Sequence, residues 1–133
     1  MFLKHLKSEQ RRAFLSLAGE MLASDAKTTV GEISRLAEIR RELGIDPDEA
    51  GVPLSVSGAA DLMRDLKSRR IALLELLLCA EADGRVSFSE SSLLKRLCGL
   101  WCIDPQELEW MQSWSIRFRE MRAEACEMIF GEF

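Results

Sequence analysis

Apolar residues recur at three- and four-residue steps along nearly the whole chain, and no segment alternates apolar and polar positions with the β-branched residues of a strand. That periodicity confines the fold to the all-α class. In residues 9–24, Ala13, Phe14, Leu17, Ala18, Met21 and Leu22 line one helical face. Residues 31–43 repeat the pattern with Ile33, Leu36, Ile39 and Leu43, and Gly44 follows as the left-handed residue that ends a helix. Asp46-Pro47 predicts a short helix stopping near Gly51 and Pro53, and the Gly-, Pro- and Ser-rich stretch 51–58 is the expected linker. A helix over about 58–66 carries Ala59, Leu62, Met63 and Leu66. Residues 71–82 are apolar on most sides, as a central buried helix requires. Leu93, Leu94, Leu97, Leu100 and Trp101 form the next face, and Pro105 opens a long helix over about 105–130.

The chain also matches itself at an offset of 58 residues: Asp25 falls on Asp83, Glu32 on Glu90, Ser34 on Ser92 and Leu36 on Leu94. Further on, Ile45-Asp46-Pro47 falls on Ile103-Asp104-Pro105, and at the front Arg12 and Leu15 fall on Arg70 and Leu73. Two similar helical halves, about 9–50 and 67–108, are therefore expected, packed together as one domain. Two copies are too few for a solenoid.

A chain of 133 residues with 18 basic and 22 acidic side chains, net −4, is large enough to bury a core without a metal or disulfide staple. An acidic chain without a basic block is a poor nucleic-acid binder. The longest apolar run, Ile71 to Ala80, is interrupted by Glu75 and covers about half a bilayer, so no membrane insertion is expected. Without a signal-peptide pattern in residues 1–30, a cytoplasmic location with reduced cysteines is expected. Cys79, Cys98, Cys102 and Cys126 lack Cys-x-x-Cys spacing, and with His5 as the one histidine they do not compose a zinc site.

The repeated element is an apolar helix, an Asp, a short loop and a Glu seven residues later. It reads Ala82-Asp83-Gly84-Arg85-Val86-Ser87-Phe88-Ser89-Glu90 in the second copy, with Asp25 and Glu32 in the first. Ser87-x-x-Glu90 and Thr29-x-x-Glu32 are capping boxes, and Asp46-Pro47 and Asp104-Pro105 are Asp caps with Pro at the first helical position. Asp25 and Asp83 each follow a helix, where the dipole disfavours an anion. Either an Asx turn compensates them, or the four carboxylates Asp83, Glu90, Asp25 and Glu32 supply oxygens to a divalent cation, calcium or similar. The spacing is not that of an EF-hand. No other cofactor is indicated.

At this element the chain resembles the TerB-like domain family of tellurite-resistance proteins. The resemblance rests on the order apolar helix, Ala80-Glu81-Ala82-Asp83-Gly84-x-Val86, Glu90, apolar helix, Ile103-Asp104-Pro105, and on Phe14-Leu15-x-Leu17-Ala18 before Asp25, covering roughly residues 9–110. It implies an orthogonal array of about seven helices built from two similar halves. It also implies cation-binding acidic residues, at Asp83 and Glu90 and in weaker form at Asp25 and Glu32, and a role in tellurite or wider stress responses. In the first copy Ala26-Lys27 replaces the Gly-x pair.

Trp110, Trp114 and Phe118 stand one helical turn apart, an aromatic stripe that belongs either to the core or to a surface for a protein partner or a second copy. The arginine doublets Arg11-Arg12, Arg40-Arg41 and Arg69-Arg70 are read as solvated helix faces. There is no phosphate-binding Gly-rich loop, and the serines near the motif lack a histidine base, so no enzyme is expected. The reading is of a non-enzymatic interaction module, with a divalent-cation binder as the alternative.

Overall fold

The structure, a computed structural model, describes residues 1–23, 30–46, 54–80 and 87–131, with the backbone alone at residues 23 and 30–33. A 3-10 turn, Leu3–His5, leads into α1 (Ser8–Ala23), α2 (Val30–Leu43), α3 (Val56–Leu62), α4 (Leu66–Ala80), α5 (Phe88–Trp101) and α6 (Pro105–Phe130). The described residues hold no strand, in keeping with the helical periodicity of the sequence. The short helix expected after Asp46 and the Asp25 and Asp83 loops lie outside the described residues.

α4 forms the centre. Its Leu73, Leu76 and Leu77 are wholly buried, and they meet Phe14, Leu17 and Met21 of α1, Leu94 and Leu97 of α5 and Met63 after α3 in one continuous core. α1 packs on α2, α3, α4 and α5, while α6 lies along α4 and α5. Each fully buried leucine contributes about 1.5–3 kcal/mol of transfer free energy, which is why the apolar stripes of these helices decide the packing.

Two boundaries differ from the sequence expectation. The helix expected over 58–66 begins earlier, because the Ser55 hydroxyl caps it by accepting the Gly58 N–H at 3.0 Å. Its first turn thus lies inside the stretch 51–58 expected as linker. It also ends earlier. Asp65 starts α4, its backbone carbonyl accepting the Arg69 N–H at 3.2 Å and its carboxylate the Ser68 hydroxyl at 2.6 Å. That hydroxyl, together with backbone donors, holds the Asp65 carboxyl below its ordinary pKa. Leu66 is therefore the first residue of α4 and not the last apolar position of α3.

The arginine doublets are also more than solvated faces. Arg11 donates Nε to the Leu6 carbonyl at 3.0 Å and Nη2 to that of Lys4 at 3.0 Å, bracing the 3-10 turn against α1. Arg69, 58 residues on, donates Nε to the Met63 carbonyl at 2.7 Å and braces the α3–α4 corner.

The helix ends keep the same spacing. α2 spans Val30–Leu43 and α5 spans Phe88–Trp101, each bound displaced by 58 residues. Gly44 follows α2 at φ +71° and Cys102 follows α5 at φ +54°, both left-handed. The Ile45 N–H donates to the Arg40 carbonyl at 3.0 Å, and the Ile103 N–H donates to the Cys98 carbonyl at 2.9 Å. This is the same helix-ending hydrogen-bond pattern in both places. Glycine adopts the left-handed conformation freely, but a cysteine Cβ crowds its own carbonyl there. Cys102→Gly is therefore expected to raise stability by about 0.5–1 kcal/mol and the melting temperature by about 2–5 °C. Thermal melts of the two proteins at equal concentration check it, and an unchanged or lower midpoint would show that the strain is absent.

Candidate functional site

The acidic motif is described at one of its four carboxylates. Asp25 and Asp83 lie outside the described residues, as does the Glu32 side chain. Glu90 is 6% exposed and sits in a complete capping box. Its Oε1 accepts the Ser87 N–H at 2.9 Å, and the Ser87 hydroxyl accepts the Glu90 N–H at 3.1 Å. Helix initiation thus accounts for Ser87 and for one carboxylate oxygen of Glu90. Among the described residues no group of three or more His, Cys, Asp or Glu side chains is placed to hold a metal ion.

The three tryptophans divide. Trp101 is core, 3% exposed, with Nε1 donating to the Ala60 carbonyl at 2.9 Å. Trp110 is not; it is 66% exposed. Trp114 and Phe118 are half-buried and stacked, with ring centroids 5.3 Å apart and planes 17° from parallel. That offset stacking fixes both side chains on one face of α6. Within the expected stripe, Trp110 is thus exposed near the start of α6, while Trp114 and Phe118 further along are half-buried.

α6 is capped at its start by Asp104, whose carboxylate accepts the Gln106 N–H at 2.8 Å, with Pro105 at the first helical position. It ends at Gly131 in the left-handed conformation, φ +69°. Its first half is anchored: Leu108 is buried, Met111 packs on the core and Ser115 is wholly buried. From Glu120 to Phe130 every residue but Cys126 is exposed. This half still carries Met121, Met128, Ile129 and Phe130, each at least two-thirds exposed. A helix that faces water on nearly all sides is normally polar; here Met121 and Met128 lie seven residues apart on one face, while Phe130, nine residues from Met121, stands about 180° round the helix.

Along the middle of α6, from Ser115 to Cys126, lies a cleft of about 570 Å³ between α2, α4 and α6. Its floor is Glu75, only 4% exposed, and its walls carry Arg35 and Glu42 from α2 and Phe118, Arg119 and Arg122 from α6. Glu75 accepts the Phe2 N–H at 2.6 Å and lies 3.3 Å from the Met1 amine, which also pairs with Glu42. Partial burial works against the charge on that amine, but the two carboxylates outweigh it and raise its pKa above the ordinary value.

Sequence reasoning followed the aromatic stripe to Phe118 and stopped there. The signal for the rest was present in Met111, Trp114, Phe118, Met121, Ala125 and Met128, which alternate steps of three and four residues. Glu75 was visible only as the single carboxylate in an apolar run; its partners come from elements remote in sequence. Compared with known proteins, the chain matches no family model, no curated protein and no solved structure.

Proposed function

We propose that this chain is a non-enzymatic protein-interaction module of the TerB-like kind, acting in the cytoplasm in a bacterial stress response. In this reading α6 is the docking element and the remaining helices are the platform that holds it. The observation that carries the reading is the exposed Met121 and Met128 on one face of the second half of α6, which continue the stacked Trp114–Phe118 pair at three- and four-residue steps. The 58-residue offset between α2 and α5, seen in their bounds and helix-ending hydrogen bonds, fits a platform of two similar halves. No helix among the described residues is long and apolar enough to cross a membrane, and a protein is the cover this reading assigns to the patch.

A photo-crosslinking amino acid placed at Ile129 tests this in cells expressing the full chain. Ile129 is expected to join a second polypeptide, of this or another sequence, several-fold more efficiently than the same probe at exposed Lys95 on α5. Equal yields at the two positions would overturn the reading.

A further inference from the structure

We infer that the cover for α6 is the α6 of a second copy of this chain, laid antiparallel as a two-helix seam; the inference rests on the docking role just proposed. Residues 111–128 hold three pairs of apolar heptad positions, with Met111, Phe118 and Ala125 at the first and Trp114, Met121 and Met128 at the second. This seam is about 27 Å long. It runs from Met111, packed on the core, through the half-buried Trp114 and Phe118, to the exposed Met121 and Met128.

Laid antiparallel about a two-fold axis between residues 119 and 120, the seam pairs complementary sizes. Trp114 faces Ala125 of the second copy, Phe118 faces Met121, and Met111 faces Met128. The largest side chain of the seam thus meets the smallest, and each pair occurs twice. Because the anchored half of one helix lies against the free half of the other, the exposed Met121 and Met128 of both copies are covered in one closed, self-complementary contact.

Charge selects the direction. Arg117 and Glu124 flank the seam on one side, both exposed, and Arg117 donates Nε back along its own helix to the Ser113 carbonyl at 3.4 Å. In the antiparallel arrangement Arg117 of each copy stands beside Glu124 of the other, giving two opposite-charge pairs. A parallel arrangement would set Arg117 beside Arg122 of the second copy, a like-charge contact on both sides. Charge therefore favours the antiparallel pair and penalises the alternative.

Charge reversals separate this proposal from its competitors. Analytical ultracentrifugation of the purified wild-type chain at about 100 µM is expected to give twice the chain mass of 15.1 kDa. Glu124→Arg alone sets two guanidinium groups against each other across the seam, and Arg117→Glu alone sets two carboxylates against each other there. Each is expected to weaken self-association at least about tenfold. Mixing the two variants brings arginine back beside glutamate on both sides of the seam and is expected to restore the dimer, a recovery that an unfolded variant cannot give. A monomeric wild type, single reversals that still dimerise, or a mixture that stays monomeric would each overturn the proposal. A monomeric wild type whose Ile129 probe still captures a different polypeptide would remove the second copy and leave the docking role standing.

Discussion

Trp101→Ala is expected to cost about 3–5 kcal/mol of folding stability, against the roughly 5–15 kcal/mol that folded domains commonly have. The indole is 3% exposed at the end of α5, and its Nε1 donates to the Ala60 carbonyl in α3 at 2.9 Å. Truncation leaves a cavity between the two helices, since the surrounding Ala59, Ala60 and Leu97 side chains are already packed. Trp101→Phe isolates the hydrogen bond. The Ala60 carbonyl also accepts the Met63 N–H at 3.1 Å, so it is not orphaned when the indole goes. The phenylalanine variant should therefore lose only about 1–2 kcal/mol, one neutral hydrogen bond and part of a ring. Urea denaturation of the three proteins reads both values. An alanine cost below about 1 kcal/mol would mean that α5 and α3 do not meet through this ring.

How much of this was legible in the sequence depended on how local each cause is. Helix type and most bounds follow from stripes such as Phe14-Leu17-Met21 and from caps such as Ser87-x-x-Glu90, whose partners lie within one turn. The break at Met63–Asp65 was missed because 58–66 has an unbroken apolar pattern. What divides it is the Asp65–Ser68 cap, and the Arg69 guanidinium that reaches back to the Met63 carbonyl. Trp101 and Trp110 look alike as letters, yet one is core and the other surface. Only the direction in which α6 leaves Pro105 decides that, and it is a tertiary property. Glu75 shows the same limit, since the carboxylate was visible in the sequence but the Phe2 and Met1 groups that meet it were not. For the acidic motif, the cap role of Glu90 was readable in advance, while Asp25 and Asp83 lie outside the described residues.

Raising the pH through the range of about 9 to 11 is expected to strip the fold of roughly 2–3 kcal/mol through one side chain, Cys79. Its thiol is 4% exposed in α4, and burial pushes its pKa from an ordinary 9.0 up to about 11, with the nearby Arg35 opposing only part of that rise. In the unfolded chain the thiol ionises first. Between the two pKa values the native state therefore holds a proton that the unfolded state has lost, so stability falls as pH rises and is untouched below about pH 8. Cys98 adds to the loss in the same direction, its thiol also raised by burial and then by the Glu107 carboxylate. The chain has no tyrosine, so no phenol ionisation is superimposed on this window. Urea midpoints of wild type and Cys79→Ala at about pH 8 and about pH 10.5 separate the effect from simple packing. Cys79→Ala is expected to be the less stable protein at the lower pH, because it leaves a small void in the core, yet to lose much less on going to the higher one. Parallel pH losses in the two proteins would show that the thiol is not held protonated by burial. The same burial leaves about a hundredfold fewer thiolates than an ordinary cysteine has at neutral pH, so a thiol reagent should modify exposed Cys102 while Cys79 stays intact until the protein unfolds.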